Sequence, residues 1–177
     1  MKRKHVVNLC LAALFLSVGI VLPLLTMNVK EIGDSLLPMH LPVMLCGIIC
    51  NKKYGFAVGL LLPFMRSLIF SMPPLYPNAV WMAAELCAYG FIIGFVYELF
   101  KKKNLFAIYL SLISAMLGGR IVWGLAKLLL LGIKGKAFTI TAFITGGFID
   151  AIPGIILQLI LIPIILCIVE GATKRGA

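Results

Sequence analysis

Residues 105–131 read LFAIYLSLISAMLGGRIVWGLAKLLLL, an apolar run in which only Arg120 and Lys127 carry charge. A helix that crosses a bilayer needs about 20 consecutive apolar residues. A transmembrane β-strand would instead alternate apolar and polar residues over about ten positions. This run is apolar at odd and even positions alike, so it predicts a spanning helix. Four comparable runs cover about 6–27, 54–71, 79–100 and 139–170, and a shorter one covers about 36–50. The chain is therefore expected to be an all-α membrane protein: one domain, 1–177, with six transmembrane helices.

Composition points the same way. Of 177 residues, 62% are hydrophobic and 12% are charged, and the mean hydropathy is +1.12. Soluble domains are about half apolar and a quarter charged, which excludes a soluble enzyme, a disordered tail and a disulfide-stapled secreted domain. The five cysteines, Cys10, Cys46, Cys50, Cys87 and Cys167, lie in apolar runs without a C-x-x-C pair. They read as small buried hydrophobes. The 36–50 run carries Pro38 and Pro42, so an irregular or half-embedded start is expected. The 139–170 run is long enough to tilt, or to kink at Pro153 or Pro163. The first run follows Lys2, Arg3 and Lys4, exceeds a signal-peptide core and lacks an A-x-A cleavage site, so it reads as a retained helix.

Charge sets the orientation. With six spans, the N-terminal tail, the turns near 51–53 and 101–103 and the C-terminal tail share one side. They hold Lys2, Arg3, Lys4, Lys52, Lys53, Lys101, Lys102, Lys103, Lys174 and Arg175. The other side holds Lys30, Lys134 and Lys136. Ten against three places both termini in the cytoplasm. The net charge of +10 is thus mostly topological, and no nucleic-acid partner is expected; the partner is the lipid bilayer.

Ionisable groups inside a bilayer need a partner, water or a ligand. The intramembrane set is His40, Arg66, Glu85, Arg120, Lys127 and Asp150. All fall in the outer half of their spans or near the midplane, which describes a polar pocket opening outward above an apolar floor. Helical spacing groups them into faces: Asn78, Trp81, Glu85 and Tyr89; Arg120, Trp123, Gly124 and Lys127; Asp150, Gly154 and Gln158. Arg66–Glu85 and Arg120–Asp150 are expected as neighbours, either as structural ion pairs or as pocket walls. Three basic groups against two carboxylates favour a substrate with a carboxylate or another acceptor-rich group.

The external segment Met72-Pro73-Pro74-Leu75-Tyr76-Pro77-Asn78 is uncharged and stiffened by three prolines. It reads as a lid over the pocket, with Pro73, Pro74, Tyr76 and Pro77 as its closing residues. In the first helix, Ala13 and Ser17 make a small-x-x-x-small pair beside Ala12, a face that admits close approach of another helix. No nucleotide-binding, hydrolase or metal-ligand motif is present, so no catalytic residue, metal or cofactor is expected in this chain. Two other classes remain open: an intramembrane lipid-modifying enzyme, and a structural membrane assembly protein.

Several stretches resemble the substrate-binding S components of energy-coupling factor (ECF) vitamin transporters. They are Leu37-Pro38-Met39-His40-Leu41-Pro42-Val43-Met44-Leu45-Cys46-Gly47, Lys53-Tyr54-Gly55-Phe56-Ala57-Val58-Gly59 and Pro63-Phe64-Met65-Arg66-Ser67-Leu68. Where that family often shows Ala-x-x-x-Ala in its first helix, this chain reads Ala13-Leu14-Phe15-Leu16-Ser17. The resemblance implies a high-affinity vitamin-binding subunit of a bacterial cell membrane, not an enzyme. It would take up a pantothenate-like or hydroxymethylpyrimidine-like compound from outside. It would then dock on a membrane coupling subunit driven by two ATPase subunits, which use the ATP. The implied substrate-binding residues are His40, Arg66, Asn78, Trp81, Glu85, Arg120, Trp123, Lys127 and Asp150, and Ala13 and Ser17 are the implied docking residues.

Overall fold

The computed structural model describes residues 2–25, 37–133 and 139–175, and among these no strand occurs. Lys30, Lys134 and Lys136 of the charge count lie outside the described residues, as does the expected start of the second span at 36. Helix α1 covers Lys2–Val21 and tightens into a 3₁₀ turn, Leu22–Leu25. Then follow α2 (His40–Cys50), α3 (Lys52–Phe70), a π-helical turn (Leu75–Ala79), α4 (Val80–Leu99) and α5 (Leu105–Ile133). The last span is broken into α6 (Ile140–Ile144), a π-helical turn (Thr145–Ile149) and α7 (Ile152–Arg175).

Among the described residues five stretches are long and apolar enough to cross a bilayer: Arg3–Leu24, Lys52–Phe70, Leu75–Leu99, Leu105–Gly132 and Ile140–Val169. Helix α2 is different. Its 11 residues rise roughly 16 Å at 1.5 Å each, about half of a ~30 Å hydrocarbon core. Pro38 precedes the helix and Pro42 sits in its first turn, where a missing N–H costs nothing. In the last span the break falls before Pro153 and not at Pro163. Pro153 is the second residue of α7, again a first-turn position, and Pro163 is carried inside the helix.

One residue, Asn51, joins α2 to α3 with φ 113° and ψ 155°. Its side-chain oxygen accepts from Lys53 N–H at 3.1 Å, and its carbonyl accepts from the N–H groups of Tyr54 and Gly55. A short polar side chain that bonds its own backbone is what such a turn requires. The start of α1 is tied to the same junction. Asn8 donates to the carbonyl of Cys50 at 2.9 Å, and His5 meets the Tyr54 hydroxyl.

Helices α3, α4 and α5 form the centre, with 39–44% of each span buried, whereas 17% of α1 and 28% of the last span are buried. One core holds Met44, Tyr89, Ile93, Tyr97, Leu112, Ala115, Ile162 and Leu166, contributed by α2, α4, α5 and α7. A second core packs Ala12 of α1 on Val43, Cys46, Val58, Leu62 and Leu86. The outward side of α7 is a stripe of isoleucines at every fourth residue, Ile152, Ile156, Ile160, Ile164 and Ile168, each about half exposed. Such a face suits lipid. Cys46 and Cys50 are buried as expected, but Cys10 and Cys167 are exposed on the peripheral helices and Cys87 is half-buried. A thiol on a bilayer-facing side replaces water contact with lipid contact, so burial in protein is not needed there.

The ten-to-three charge bias gives a testable orientation. Leu75, in the turn before α4, is 53% exposed. With a cysteine there, in a chain otherwise free of cysteine, an impermeant maleimide added to intact cells is expected to label the protein. Labelling only after permeabilisation would reverse the orientation.

Candidate substrate site

The polar side chains gather where α2 and α4 begin and in the second half of α5. His40 opens α2, Glu85 lies in the second turn of α4, and Arg120 lies in the second half of α5. Glu85 Oε1 accepts from Arg120 Nη1 at 2.9 Å. His40 Nε2 lies 3.3 Å from the same oxygen, at ion-pair distance but outside hydrogen-bond geometry. The three residues are 3%, 3% and 2% exposed for Glu85, Arg120 and His40, so the carboxylate is shared between two buried basic groups. The ring of Tyr89 meets the His40 ring edge-on, with centroids 4.9 Å apart. Tyr89 in turn donates to the carbonyl of Met116 at 3.5 Å.

An aromatic and cationic layer adjoins this cluster. Lys127 Nζ stands 4.2 Å from the Trp123 ring centroid and 5.1 Å from that of Trp81. The Arg120 guanidinium is 5.9 Å from Trp123. Two turns of α5 thus place both cations against one indole, and Lys127 links it to the indole on α4. On the other side Trp123 meets Phe143 of α6 at a tilt, with centroids 6.0 Å apart, and Phe143 meets Phe148 edge-on at 5.9 Å. Gly146 and Gly147 present bare backbone to the indole: a Cβ on either would come within 3.4 and 3.3 Å of the ring.

Two expected pairings are corrected. Glu85 pairs with Arg120, not with Arg66. Arg66 instead donates to the carbonyl of Ile20 near the end of α1 at 3.3 Å, with its guanidinium 5.9 Å from the Phe70 ring. A cation at a helix C-terminus suits the exposed carbonyls there, so Arg66 serves the α1–α3 junction. Arg120 does not pair with Asp150, which is exposed. The expected face Asp150–Gly154–Gln158 assumed one continuous helix. Asp150 lies in the turn between the π-helical segment and α7, its N–H bonded to the carbonyl of Thr145 at 2.9 Å. Gly154 and Gln158 keep the helical register and are buried.

Of the remaining expected residues, Trp81, Asn78 and Lys127 are half-buried and Trp123 is 6% exposed. Pro73 and Pro77 are half-buried, and Pro74 and Tyr76 are exposed in the segment entering α4. Gln158 was on an expected face but not among the expected site residues. It is 1% exposed, and its polarity inside the apolar run ILQLILI was the available signal.

A family described as ECF transporter, substrate-specific component, matches residues 7–166. The chain belongs to that family. No curated protein and no solved structure matches it. As an ECF substrate-specific component it is a multi-pass, membrane-embedded subunit of a transporter. The helices described above fit that placement, with buried charge at one end and an apolar core at the other.

Proposed function

We propose that this subunit captures a vitamin or vitamin precursor from the outside at the His40–Glu85–Arg120 cluster and passes it inward once docked on a coupling subunit. The observation that carries the reading is a buried charged cluster whose donors exceed its partners. Arg120 Nε and Nη2 and both ring nitrogens of His40 have no hydrogen-bond partner among the described residues. Native interiors leave few such atoms, and each one asks for an occupant. A pantothenate-like and a hydroxymethylpyrimidine-like compound are the two chemistries to compare. Trp81, Trp123, Lys127 and Asn78 would flank the compound. The segment holding Pro73, Pro74, Tyr76 and Pro77 would close over it. Arg66 and Asp150 stand apart from the cluster, at the α1–α3 junction and in the α6–α7 turn.

Helix α1 supports the docking half of the proposal. Its Ala12 and Gly19 face the protein, while Ala13 and Ser17 are exposed among Leu9, Leu14, Val18 and Val21. Ser17 Oγ donates to the carbonyl of Ala13 at 2.9 Å, so its polarity is spent within the helix and the face stays smooth. A coupling subunit with two ATPase subunits, supplying the ATP-driven step, would approach here. Ala13→Trp and Ser17→Trp are expected to keep solute binding by the isolated subunit. Uptake by cells that also make the coupling and ATPase subunits should fall to background. Normal uptake by both variants would reject this surface, and absence of any solute binding by the wild type would reject capture.

A further inference from the structure

We infer that the compound held at this site carries a carboxylate, which Arg120 grips side-on through Nε and Nη2. The inference rests on the capture reading above and narrows its substrate class. Arg120 spends Nη1 on Glu85, leaving Nε and Nη2 without a partner although the residue is 3% exposed. These two are not scattered atoms. On a planar guanidinium their N–H bonds run parallel along one edge, the fork that binds both oxygens of a carboxylate at once.

The neighbours sharpen the class. His40, beside Glu85, has two ring nitrogens without a hydrogen-bond partner, one of them a donor in the neutral ring and both in the charged one. Glu85, the buried carboxylate of the cluster, already faces Arg120 and His40. A cationic or donor-rich compound would find its natural counterpart occupied and would leave the Arg120 edge empty. An acid fills the edge, its two oxygens accepting from Nε–H and Nη2–H of Arg120. The Trp123 indole beside Arg120 offers an apolar wall for the rest of the molecule. The acid is therefore small, with an acceptor at one end and an apolar or planar body.

The test uses the full-length purified subunit in nanodiscs, incubated with a small-molecule extract of bacterial cells and washed. Compounds released by denaturant are identified by mass spectrometry. The expected result is a carboxylic acid whose methyl ester binds the wild-type protein at least about tenfold more weakly. Arg120→Lys keeps a cation for Glu85 but has no fork. It should unfold near the wild-type temperature and lose a similar factor for the acid. A retained compound without a carboxylate, or an acid whose ester binds equally well, overturns the inference and leaves capture standing. Equal binding of the acid by folded Arg120→Lys overturns the side-on grip. If Arg120→Lys does not fold, the ester comparison on the wild type decides. Retention of no compound overturns capture itself, and the inference with it.

Discussion

Glu85→Leu is expected to cost about 3–5 kcal/mol of stability, the penalty for removing one partner of a buried ion pair. The leucine leaves the Arg120 guanidinium 3% exposed with no hydrogen-bonded anion and takes the shared oxygen from His40. Thermal unfolding of the purified subunit measures the loss. The second step is the double variant Glu85→Leu with Arg120→Met. Apolar replacement of a buried pair is often neutral or stabilising, so the double variant should unfold near the wild-type temperature. Its binding separates two roles. If the pair only held α4 to α5, the double variant would bind the compound retained by the wild type with unchanged affinity. The unpartnered donors argue for the other outcome: a stable protein that no longer binds. A stable double variant with wild-type affinity would return Glu85 and Arg120 to a packing role.

That design differs from one drawn from the sequence, which would have paired Arg120 with Asp150. The reason is physical. Hydropathy reads which residues leave water, and the 3.6-residue period reads which share a face of one helix. Both worked for Trp81 with Glu85 and for Arg120, Trp123 and Lys127. Which face of one helix opposes which face of another depends on packing, and no single-helix period contains it. Glu85 could have met Arg66 or Arg120 with equal right. The structure chooses Arg120 because glycines let α4 sit deep against α2 and α3, while Arg66 is drawn to the free carbonyl of Ile20. Asp150 was lost for a different reason: a π-helical turn resets the register between Ile144 and Ile152. The sequence TGGFIDAIPG contained the signal, since Gly146 and Gly147 weaken a helix and Pro153 favours a new start. The overall chain of apolar spans, by contrast, follows from composition and run length alone.

Gly90→Ala is expected to destabilise the protein by about 2–3 kcal/mol, although alanine is the better helix former by about 1 kcal/mol. A Cβ on Gly90 would stand 2.2 Å from the carbonyl oxygen of Gly55 and 2.4 Å from its carbon. The obstacle is backbone, so no side chain can turn aside. The contact also works in the opposite direction. A Cβ on Gly55 would come within 2.5 Å of the Gly90 oxygen and 2.6 Å of the Gly47 Cα, and one on Gly47 within 2.5 Å of the Gly90 oxygen. Three helices thus meet through bare backbone, and Gly90 lies five residues after Glu85 on α4. Alanine at position 90 must push α4 away from α3, and α4 carries Glu85. The shift therefore loosens the Glu85–Arg120–His40 geometry, and binding of the wild type's retained compound should weaken along with the fold. Gly132→Ala is the control. It lies near the end of α5 with nothing within 4 Å of a built Cβ, so the same substitution there should be neutral or stabilising by up to about 1 kcal/mol. The measurement is thermal unfolding of both variants beside the wild type, with binding measured on each below its transition. Equal unfolding temperatures for Gly90→Ala and Gly132→Ala would show that α3 and α4 do not depend on this contact.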